Sequence, residues 1–306
     1  MTEHRFMTKY LILPLFILLL MNAPVKAQRH ELGVQMGMSN LVGDIGRTNY
    51  MFQPPIAGAF YQYGIPFYGG ILYRMNFNPY QTLRFNLGYS HIQFSDGVAK
   101  EYYRRNRGLF GTNSIYEADA VFEYNFFPVN DEQKSMLSPY IFGGIGALFA
   151  ETPQLIIVND FKRDAAGNIV NGGPTSSTDF DTTTQYESAG KMTFAVPFGV
   201  GLKYKFNYNW AAFGEFMFRP TFSDAIDYSV IDDKNVKITY NKDITDPSAS
   251  NKSLLETSPY KEVADARAQQ IIQNRNVGNI NSKDWVNTVS IGLTYSFGRP
   301  PCYCDY

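Results

Sequence analysis

Apolar side chains recur at every second position in eight separate segments of this chain. The clearest segment is Thr193–Phe206, where one alternating set runs from Phe194 to Phe206 and the other set includes Lys203 and Lys205. A period of two predicts β-strands with one apolar face. No predicted helix covers these faces, whereas lipid covers them when a sheet closes on itself. The pattern therefore predicts an all-β fold, a closed antiparallel eight-stranded transmembrane β-barrel with long extracellular loops.

The alternation alone places the strands along the chain. Strand five is apolar on both faces, so its orientation stays open. The predicted bounds are Glu31–Ser39, Tyr68–Phe77, Thr82–Phe94, Ser114–Phe127, Pro139–Ala150, Thr193–Phe206, Trp210–Arg219 and Trp285–Phe297.

The lengths of the connections predict the orientation of the barrel. Outer-membrane barrels keep short turns in the periplasm and long loops outside the cell. Both ends of the mature chain should then be periplasmic. In the fourth loop, Tyr260–Asn274 is predicted as a helix that begins after Ser258 and Pro259, and Val236–Asn241 as a strand above the membrane. The predicted exterior loops lie near 40–66, 95–113, 151–191 and 220–284.

The N-terminus has the features of a secretory signal peptide. Arg5 and Lys9 precede an apolar run, Tyr10–Met21. The following Val25-Lys26-Ala27 resembles a signal-peptide cleavage site of the small-x-small type. The run is too short to span a bilayer as a helix. Position 28 is Gln rather than the lipid-bearing Cys of a lipoprotein. We therefore expect a removed signal peptide over 1–27, a barrel over 28–297 and a periplasmic tail over 298–306.

Composition excludes a helical membrane protein and gives no sign of a nucleic-acid partner. Mean hydropathy is −0.25, and aromatic residues make up 16% of the chain against 18% charged residues. That balance is typical of a barrel with aromatic girdles and polar loops. The formal charge of −1 becomes −3 when a signal peptide with a net charge of +2 is removed. Such a small and dispersed charge does not favour nucleic acid.

Nine charged side chains are predicted to point into the barrel. An eight-stranded barrel is just wide enough for its own side chains, and unpaired charges inside it would be costly. We interpret the charges as pairs in a filled, non-conducting interior; only the charges themselves support the alternative, a proton or ion path. The cations Arg74, Arg84, Lys203, Lys205 and Arg219 oppose Glu117, Asp119, Glu123 and Glu215.

The sequence predicts no catalytic, cofactor-binding or metal-binding residues. Among the histidines, His91 lies toward the outer end of strand three, next to Ser90. Adjacent strand residues point to opposite faces, so these two cannot form a nucleophile–base pair. Four acidic residues of the fourth loop lack the spacing of a calcium loop and are interpreted as solvated. They are Asp224, Asp227, Asp232 and Asp233.

The tail supplies a candidate partner-binding segment, Cys302, Tyr303 and Cys304. A disulfide closed across one intervening residue would be strained, while the periplasm is oxidising. Two interpretations remain open: an intermolecular disulfide, or a strained local pair or unpaired thiols.

Several stretches together resemble the PorG-like outer-membrane barrels of the Bacteroidetes type IX secretion system. The most specific is Glu215–Asp227, EFMFRPTFSDAID, which is similar to the pattern E-x-x-x-R-x-T-F-x-D-Y-h-D of that family. This chain has Ala225 where the family usually has Tyr, and two tail cysteines where the family commonly has one Cys-Pro. Further similar stretches are Glu31-Leu32-Gly33, Gly43-Asp44-Ile45, Gly70–Pro79, Ser114–Glu117, Glu123–Phe126, Ser138–Gly146 and Pro197–Lys205.

The resemblance implies a non-enzymatic component of the type IX secretion machinery in the outer membrane. It implies contacts with outer-membrane lipids and with a periplasmic ring, formed by a lipoprotein and its partner, that the barrel would anchor or assemble. It implies no cofactor. Two alternatives remain: a stand-alone surface barrel whose loops bind host or glycan ligands, and a lipid A-modifying enzyme that depends on His91.

Overall fold

The computed structural model describes residues 29–47, 65–130, 136–162, 164–166, 180–231, 235–240, 260–275, 277–279 and 282–298. The expected signal peptide and the tail segment Cys302–Cys304 lie outside these residues, as do Asp232 and Asp233. The boundaries 1–27 and 298–306 therefore stay predictions.

Ten strands and two helices make up the described structure. The strands are β1 Arg29–Val42, β2 Phe67–Asn76, β3 Gln81–Ser95, β4 Phe110–Asn125, β5 Met136–Phe161, β6 Phe180–Ala195, β7 Phe198–Lys205, β8 Trp210–Pro220, β9 Val236–Tyr240 and β10 Trp285–Phe297. The helices are α1 Tyr102–Arg107 and α2 Tyr260–Arg275. Neither helix is long and apolar enough to cross a membrane.

Antiparallel pairing closes the sheet into a ring. The order around the ring is β1, β2, β3, β4, β5, β7, β8 and β10, and β10 pairs again with β1. β6 and β7 act as one strand of the barrel, interrupted at Val196 and Pro197. β5 pairs with β7 up to Gly143 and with β6 from Gly146 onward. The ring therefore has eight positions, which confirms the predicted strand number.

The two faces of the wall differ as the alternation predicts. Outward side chains such as Met36 (66% exposed) and Ile145 (72% exposed) form an apolar band, whereas Arg74, Arg84 and Arg219 are fully buried inside. Within the barrel, up to Ala150, β5 turns Tyr140 and the other even-numbered residues inward, which settles the orientation that the sequence left open. An apolar outer band with a charged interior is the pattern of a membrane-spanning barrel.

Aromatic side chains mark both edges of the apolar band. At the end of the barrel with the short connections, here called the turn end, Trp210 packs against Tyr295 at 5.1 Å between ring centroids. At the opposite end, here called the loop end, Tyr89 packs between Phe67 and Tyr116 at 5.4 and 5.0 Å. Aromatic belts of this kind sit at membrane–water interfaces.

The predicted strand bounds at Ala150 and Thr193 are wrong, because much of the predicted exterior connection over 151–191 is itself strand. β5 and β6 continue as a paired hairpin from Gly146–Ala195 to Phe161–Phe180. β9 adds to this hairpin by parallel pairing with β5. α2 packs against the face of the hairpin that carries Leu155 and Ile157, and both side chains are fully buried. The strands extend beyond the band because a helix, rather than lipid, covers their apolar residues.

The fourth loop holds the two elements that its sequence predicts. The helix predicted at Tyr260–Asn274 is observed at Tyr260–Arg275, and the strand predicted at Val236–Asn241 is observed at Val236–Tyr240. The connection after β3, predicted as a plain loop, contains a short 3-10 turn at Asp96–Val98 and then α1.

Candidate functional site

The interior at the turn end is built around one lysine. The Nζ atom of Lys203 donates to both carboxylate oxygens of Glu31, at 2.8 and 3.0 Å, and to the amide oxygen of Asn130 at 3.1 Å. Asn76 donates to Glu31 at 2.8 Å. Lys205 is buried at the same end. Five cations and four carboxylates are predicted inside the barrel, and Glu31 is the fifth carboxylate.

At mid-height, two arginines and two glutamates alternate. Arg74 donates through Nε to Glu123 at 3.0 Å, and Nη1 of Arg84 lies 2.7 Å from both Glu123 and Glu215. The hydroxyl of Tyr140 donates to Glu215 at 2.9 Å. Since all four charged side chains are 2% exposed or less, each charge depends on the others for compensation.

Aromatic rings close the faces of these guanidinium groups. The ring of Phe213 lies 4.5 Å from the Cζ atom of Arg74, and the ring of Phe142 lies 4.6 Å from that of Arg84. Cation–π contacts at these distances stabilise charge away from water. Both rings are buried within the barrel.

A third group of charges lies nearer the loop end. Nη2 of Arg219 is 2.7 Å from Glu117, and its Nε is 3.7 Å from Asp119. Nη1 of Arg219 donates to Thr288 at 2.7 Å, and the Thr288 hydroxyl contacts that of Ser39 at 2.7 Å. The three groups together form what is here called the interior network. Its members are Glu31, Arg74, Arg84, Glu117, Asp119, Glu123, Lys203, Lys205, Glu215 and Arg219.

The interior network is balanced in formal charge, since it contains five cationic and five carboxyl side chains. All ten side chains are buried. The predicted lumen residues therefore come together within the barrel, together with Glu31. Their ion pairs occupy the interior of the barrel at three successive levels.

An apolar layer lies above the network at the loop end. Ile226, in the connection after β8, points into this layer and is fully buried. Asn113 donates to the carbonyl of Ile226 at 2.9 Å, and Tyr228 donates to the carbonyl of Thr112 at 3.0 Å. Residues 221–231, here called the mouth segment, thus fold back into the barrel. The layer consists of Leu41, Ile45, Ile92, Phe94, Ile115, Leu148, Ala150, Ala195, Ile226 and Val286.

Acidic side chains hold the mouth segment in place, so the solvated interpretation of Asp224 and Asp227 is wrong. Oδ2 of Asp227 accepts the backbone N–H groups of Asp44 and Ile45 at 2.6 and 2.9 Å. Oδ2 of Asp284 accepts the N–H of Ile226 at 2.8 Å. Asp224 and Asp227 are 7% and 0% exposed. Backbone N–H groups bound to Asp227 and Asp284, rather than a cation, hold this chain segment inside the barrel.

Helix α1 fastens the connection after β3 to the same region. Arg107 donates to Asp96 through Nε at 2.7 Å and to the carbonyl of Asp44 through Nη2 at 2.7 Å. Burial opposes ionisation of Asp96, but hydrogen bonds from Arg107 and from the N–H of Gly46 lower the pKa of this carboxyl below its usual value. Arg104 donates to the carbonyls of Gly43 and Gly46. Two long connections are thereby tied together.

The predicted separation of Ser90 and His91 is confirmed. Ser90 faces the interior, 3.0 Å from Ser39, and His91 faces outward. Register instead sets His91 opposite Ser114, with 3.4 Å between Nδ1 and Oγ. Ser114 is also 3.0 Å from the hydroxyl of Tyr89. A separation of 3.4 Å is longer than the contact of an activated nucleophile with its base.

No group of three metal-ligating side chains suited to a metal ion occurs among the residues that the structure describes. The residues missed from sequence are of two kinds. Glu31 begins the predicted first strand, and its alternation with Gly33 puts it on the inner face, although it is not among the nine predicted interior charges. Asp44, Asp227 and Asp284 lie in connections, where no periodicity marks a buried side chain.

One family model matches two parts of the chain. The sequence matches the family described as "Domain of unknown function (DUF6089)" over residues 9–170 and 264–306. None of the curated proteins matches the chain.

Three solved outer-membrane barrels are among the structures that the chain resembles. OprG from Pseudomonas aeruginosa shares 9% identity over 90% of this chain and 99% of its own, with a TM-score of 0.38. Ail, the attachment invasion locus protein of Yersinia pestis, shares 11% over 89% and 99%, with a TM-score of 0.37. The N-terminal barrel domain of Pseudomonas aeruginosa OprF shares 10% over 89% and 98%, with a TM-score of 0.35. The fold assignment rests on the strand pairing described above.

Proposed function

The chain belongs to the DUF6089 family. We propose, on its sequence similarity to PorG-like barrels, that it is a non-enzymatic component of the type IX protein secretion machinery. In this proposal the barrel anchors or assembles the periplasmic ring at the outer membrane. The observation that carries it is the filled interior: a barrel whose lumen is occupied by paired charges offers partners its surface, not a passage. The sequence stretches similar to PorG-like barrels name the partner.

The turn end is the surface proposed to meet the ring. Its turns are held by side-chain caps: Asn78 accepts the N–H groups of Tyr80 and Gln81, both at 2.9 Å. Asn207 accepts that of Trp210 at 2.8 Å. Rigid turns favour docking, because little conformational entropy is lost on binding. With these turns in the periplasm, the proposed contacts are Asn78–Gln81, Pro128–Leu137, Asn207–Asn209 and the tail Gly298–Tyr306.

Truncation after Phe297 tests the proposed contact. The strand β10 ends at Phe297, so the barrel should still fold, while recovery of the ring lipoprotein in a pull-down should fall. Two single variants, Cys302→Ser and Cys304→Ser, separate the contribution of the thiols from that of the rest of the tail. If reductant abolishes recovery of the ring lipoprotein with the wild-type protein, the same thiols are involved. Normal ring recovery with the truncated protein would show that the tail is not the contact.

The proposal assigns no catalytic residue. The lipid A-modifying alternative depends on His91, which touches Ser114 at the outer face of the barrel. A His91→Ala strain with altered lipid A would favour that alternative over ours. Unchanged lipid A in this strain is the result that we expect.

A second candidate is a surface barrel that binds host or glycan ligands. The observation that favours it is the ordered extension of β5, β6, β9 and α2 beyond the membrane band, in which Gln185 and Glu187 are exposed. Deleting the hairpin tip while keeping the barrel strands separates the two candidates. Loss of ligand adhesion with normal secretion would favour the surface-binding role.

A further inference from the structure

Asp227 and Asp284 face each other at the loop end of the barrel with few compensating charges. Oδ2 of Asp227 and Oδ1 of Asp284 each lie 2.5 Å from the position that a Cβ atom of Gly43 would take, so these oxygens are at most about 5 Å apart. Asp284 is fully buried, and its Oδ1 has no hydrogen-bond partner. Two ionised carboxylates in this arrangement would repel each other in a region of low dielectric.

The hydrogen bonds distinguish the two carboxyls. Asp227 accepts two N–H groups at Oδ2 and that of Ser229 at Oδ1, 2.9 Å away, which favours its ionised form. Asp284 accepts the Ile226 N–H at Oδ2, and the backbone N–H of Asp227 also favours its ionised form. Its Oδ1 accepts no hydrogen bond and lies beside Asp227. Asp284 is therefore the group placed to carry a proton and donate it, directly or through one water molecule.

The surrounding charges do not provide another partner. Asp44, after β1, accepts from the Asn279 N–H at 2.8 Å, and Arg104 of α1 approaches its carboxylate only to 4.0 Å. Asp224 is 93% buried, with neither carboxylate oxygen hydrogen-bonded. The positive charge of Lys283 lowers the pKa of Asp224, but burial and the charge of Asp44 raise it by more. The excess of carboxylates over cations favours uptake of a proton.

We propose that Asp227 and Asp284 share one proton and act as a pH-sensitive latch that holds the mouth segment in the barrel. The pair joins the connection after β1, the mouth segment and the start of β10, so its state affects all three. Loss of the shared proton leaves two facing carboxylates and releases the mouth segment. The latch concerns the loop end and does not depend on ring binding at the turn end.

The direction of the pH effect follows from linkage. Burial, followed by the charge of Asp227, raises the pKa of Asp284 well above its usual value, and burial raises the pKa of Asp227. Burial, followed by the charge of Asp44, raises the pKa of Asp224 to about 7. The closed form thus binds more protons than an open form with ordinary carboxyls. Opening is favoured about tenfold per pH unit for each proton released, from about pH 4 up to the raised pKa.

Hydrogen exchange of the full-length barrel in detergent micelles tests the latch. After correction for intrinsic rates, exchange in peptides covering 41–47 and 221–231 should rise at least about tenfold from pH 5 to pH 8, while that of β3 stays constant. Asp284→Asn keeps a donor toward Asp227, so exchange in these peptides should rise less between pH 5 and pH 8 than in the wild type. Asp181→Asn, the same change at an exposed residue of the extension, should behave as wild type.

Three results would overturn the proposal. The first is wild-type exchange that does not change with pH, and the second is an Asp284→Asn variant that keeps the wild-type pH dependence. The third is protection of the wild type at pH 8 by added Ca²⁺, which would make the pair a cation site. If Asp284→Asn does not fold, infrared titration of wild-type protein with ¹³C-labelled aspartate decides: we expect a buried carboxylic-acid band that persists at pH 6, and its absence contradicts the latch.

Discussion

At the residue scale, the barrel depends on buried charges that compensate one another. Arg84 is the clearest case, because one nitrogen atom lies 2.7 Å from Glu123 and from Glu215. Such groups contribute little net stability compared with apolar side chains of the same volume, but removal of one partner leaves the others buried and uncompensated. Alternation alone places these residues inside, since each falls on the inner face of its strand. It does not reveal which pairs form, because partners such as Arg84 and Glu215 belong to strands that are distant in the sequence.

Replacement of Arg84 by Met should destabilise the barrel by about 3–5 kcal/mol. The substitution keeps most of the volume but leaves Glu123 and Glu215 with one cation fewer. Urea unfolding in detergent micelles, followed by the shift in gel mobility on unfolding, measures the effect. Arg105→Met, at an exposed position of α1, is the matched control and should change the midpoint little. Equal midpoints for the two variants would contradict the structural role of the pairs.

Gly43 gives a second prediction at this scale. A methyl group there would lie 2.5 Å from oxygens of both Asp227 and Asp284, so Gly43→Ala should push the mouth segment out and speed its hydrogen exchange at all pH values. Gly69→Ala is the matched control, because nothing lies within 4 Å of the added Cβ. Unchanged exchange in the Gly43→Ala variant would show that the two carboxyls are not packed around this glycine.

At the element scale, each strand continues as far as something covers its apolar side chains. Lipid covers β7, whereas α2 covers the far half of β5. Strand faces are predictable from sequence, because the period of two survives along every strand. The end of β5 is not, because Leu155 and Ile157 look the same whether a helix or a loop covers them. The interruption at Pro197 is likewise hidden by unbroken alternation from Phe194 to Phe206.

Ile272→Ala should loosen the extension without unfolding the barrel. Ile272 is buried among Leu155, Ile157 and Ala268, and truncation of such a side chain costs about 2–5 kcal/mol. Limited proteolysis of the folded protein should then cut within the extension, while the barrel resists. Gln270→Ala, on the exposed side of α2, is the control. Cleavage that is no faster in Ile272→Ala than in this control would contradict the packing of α2 on β5.

At the scale of the whole molecule, two separate sets of side chains occupy the interior of the barrel. The interior network fills its lower and middle levels, and the apolar layer with the mouth segment fills its loop end. Fold, strand number and the charged interior follow from the sequence, because alternation and closure are general. The apolar layer with the mouth segment does not follow from the sequence, since Ile226 and Asp227 lie in a connection whose path depends on tertiary contacts.

The occupied interior predicts that the barrel does not conduct ions. Purified protein inserted into planar bilayers should give no steady conductance above that of the bare membrane, because paired side chains occupy the lumen. A water-filled porin, inserted in parallel, provides the positive control. Stable open channels in most insertions would contradict a filled interior and reopen a conducting role.

The most direct test of the proposed anchoring role is a pull-down of tagged, full-length protein from detergent-solubilised outer membranes, analysed by mass spectrometry. The proposal predicts recovery of a periplasmic ring lipoprotein together with the barrel. Recovery of the barrel alone, from cells in which the ring is present, would contradict it and favour a stand-alone surface protein.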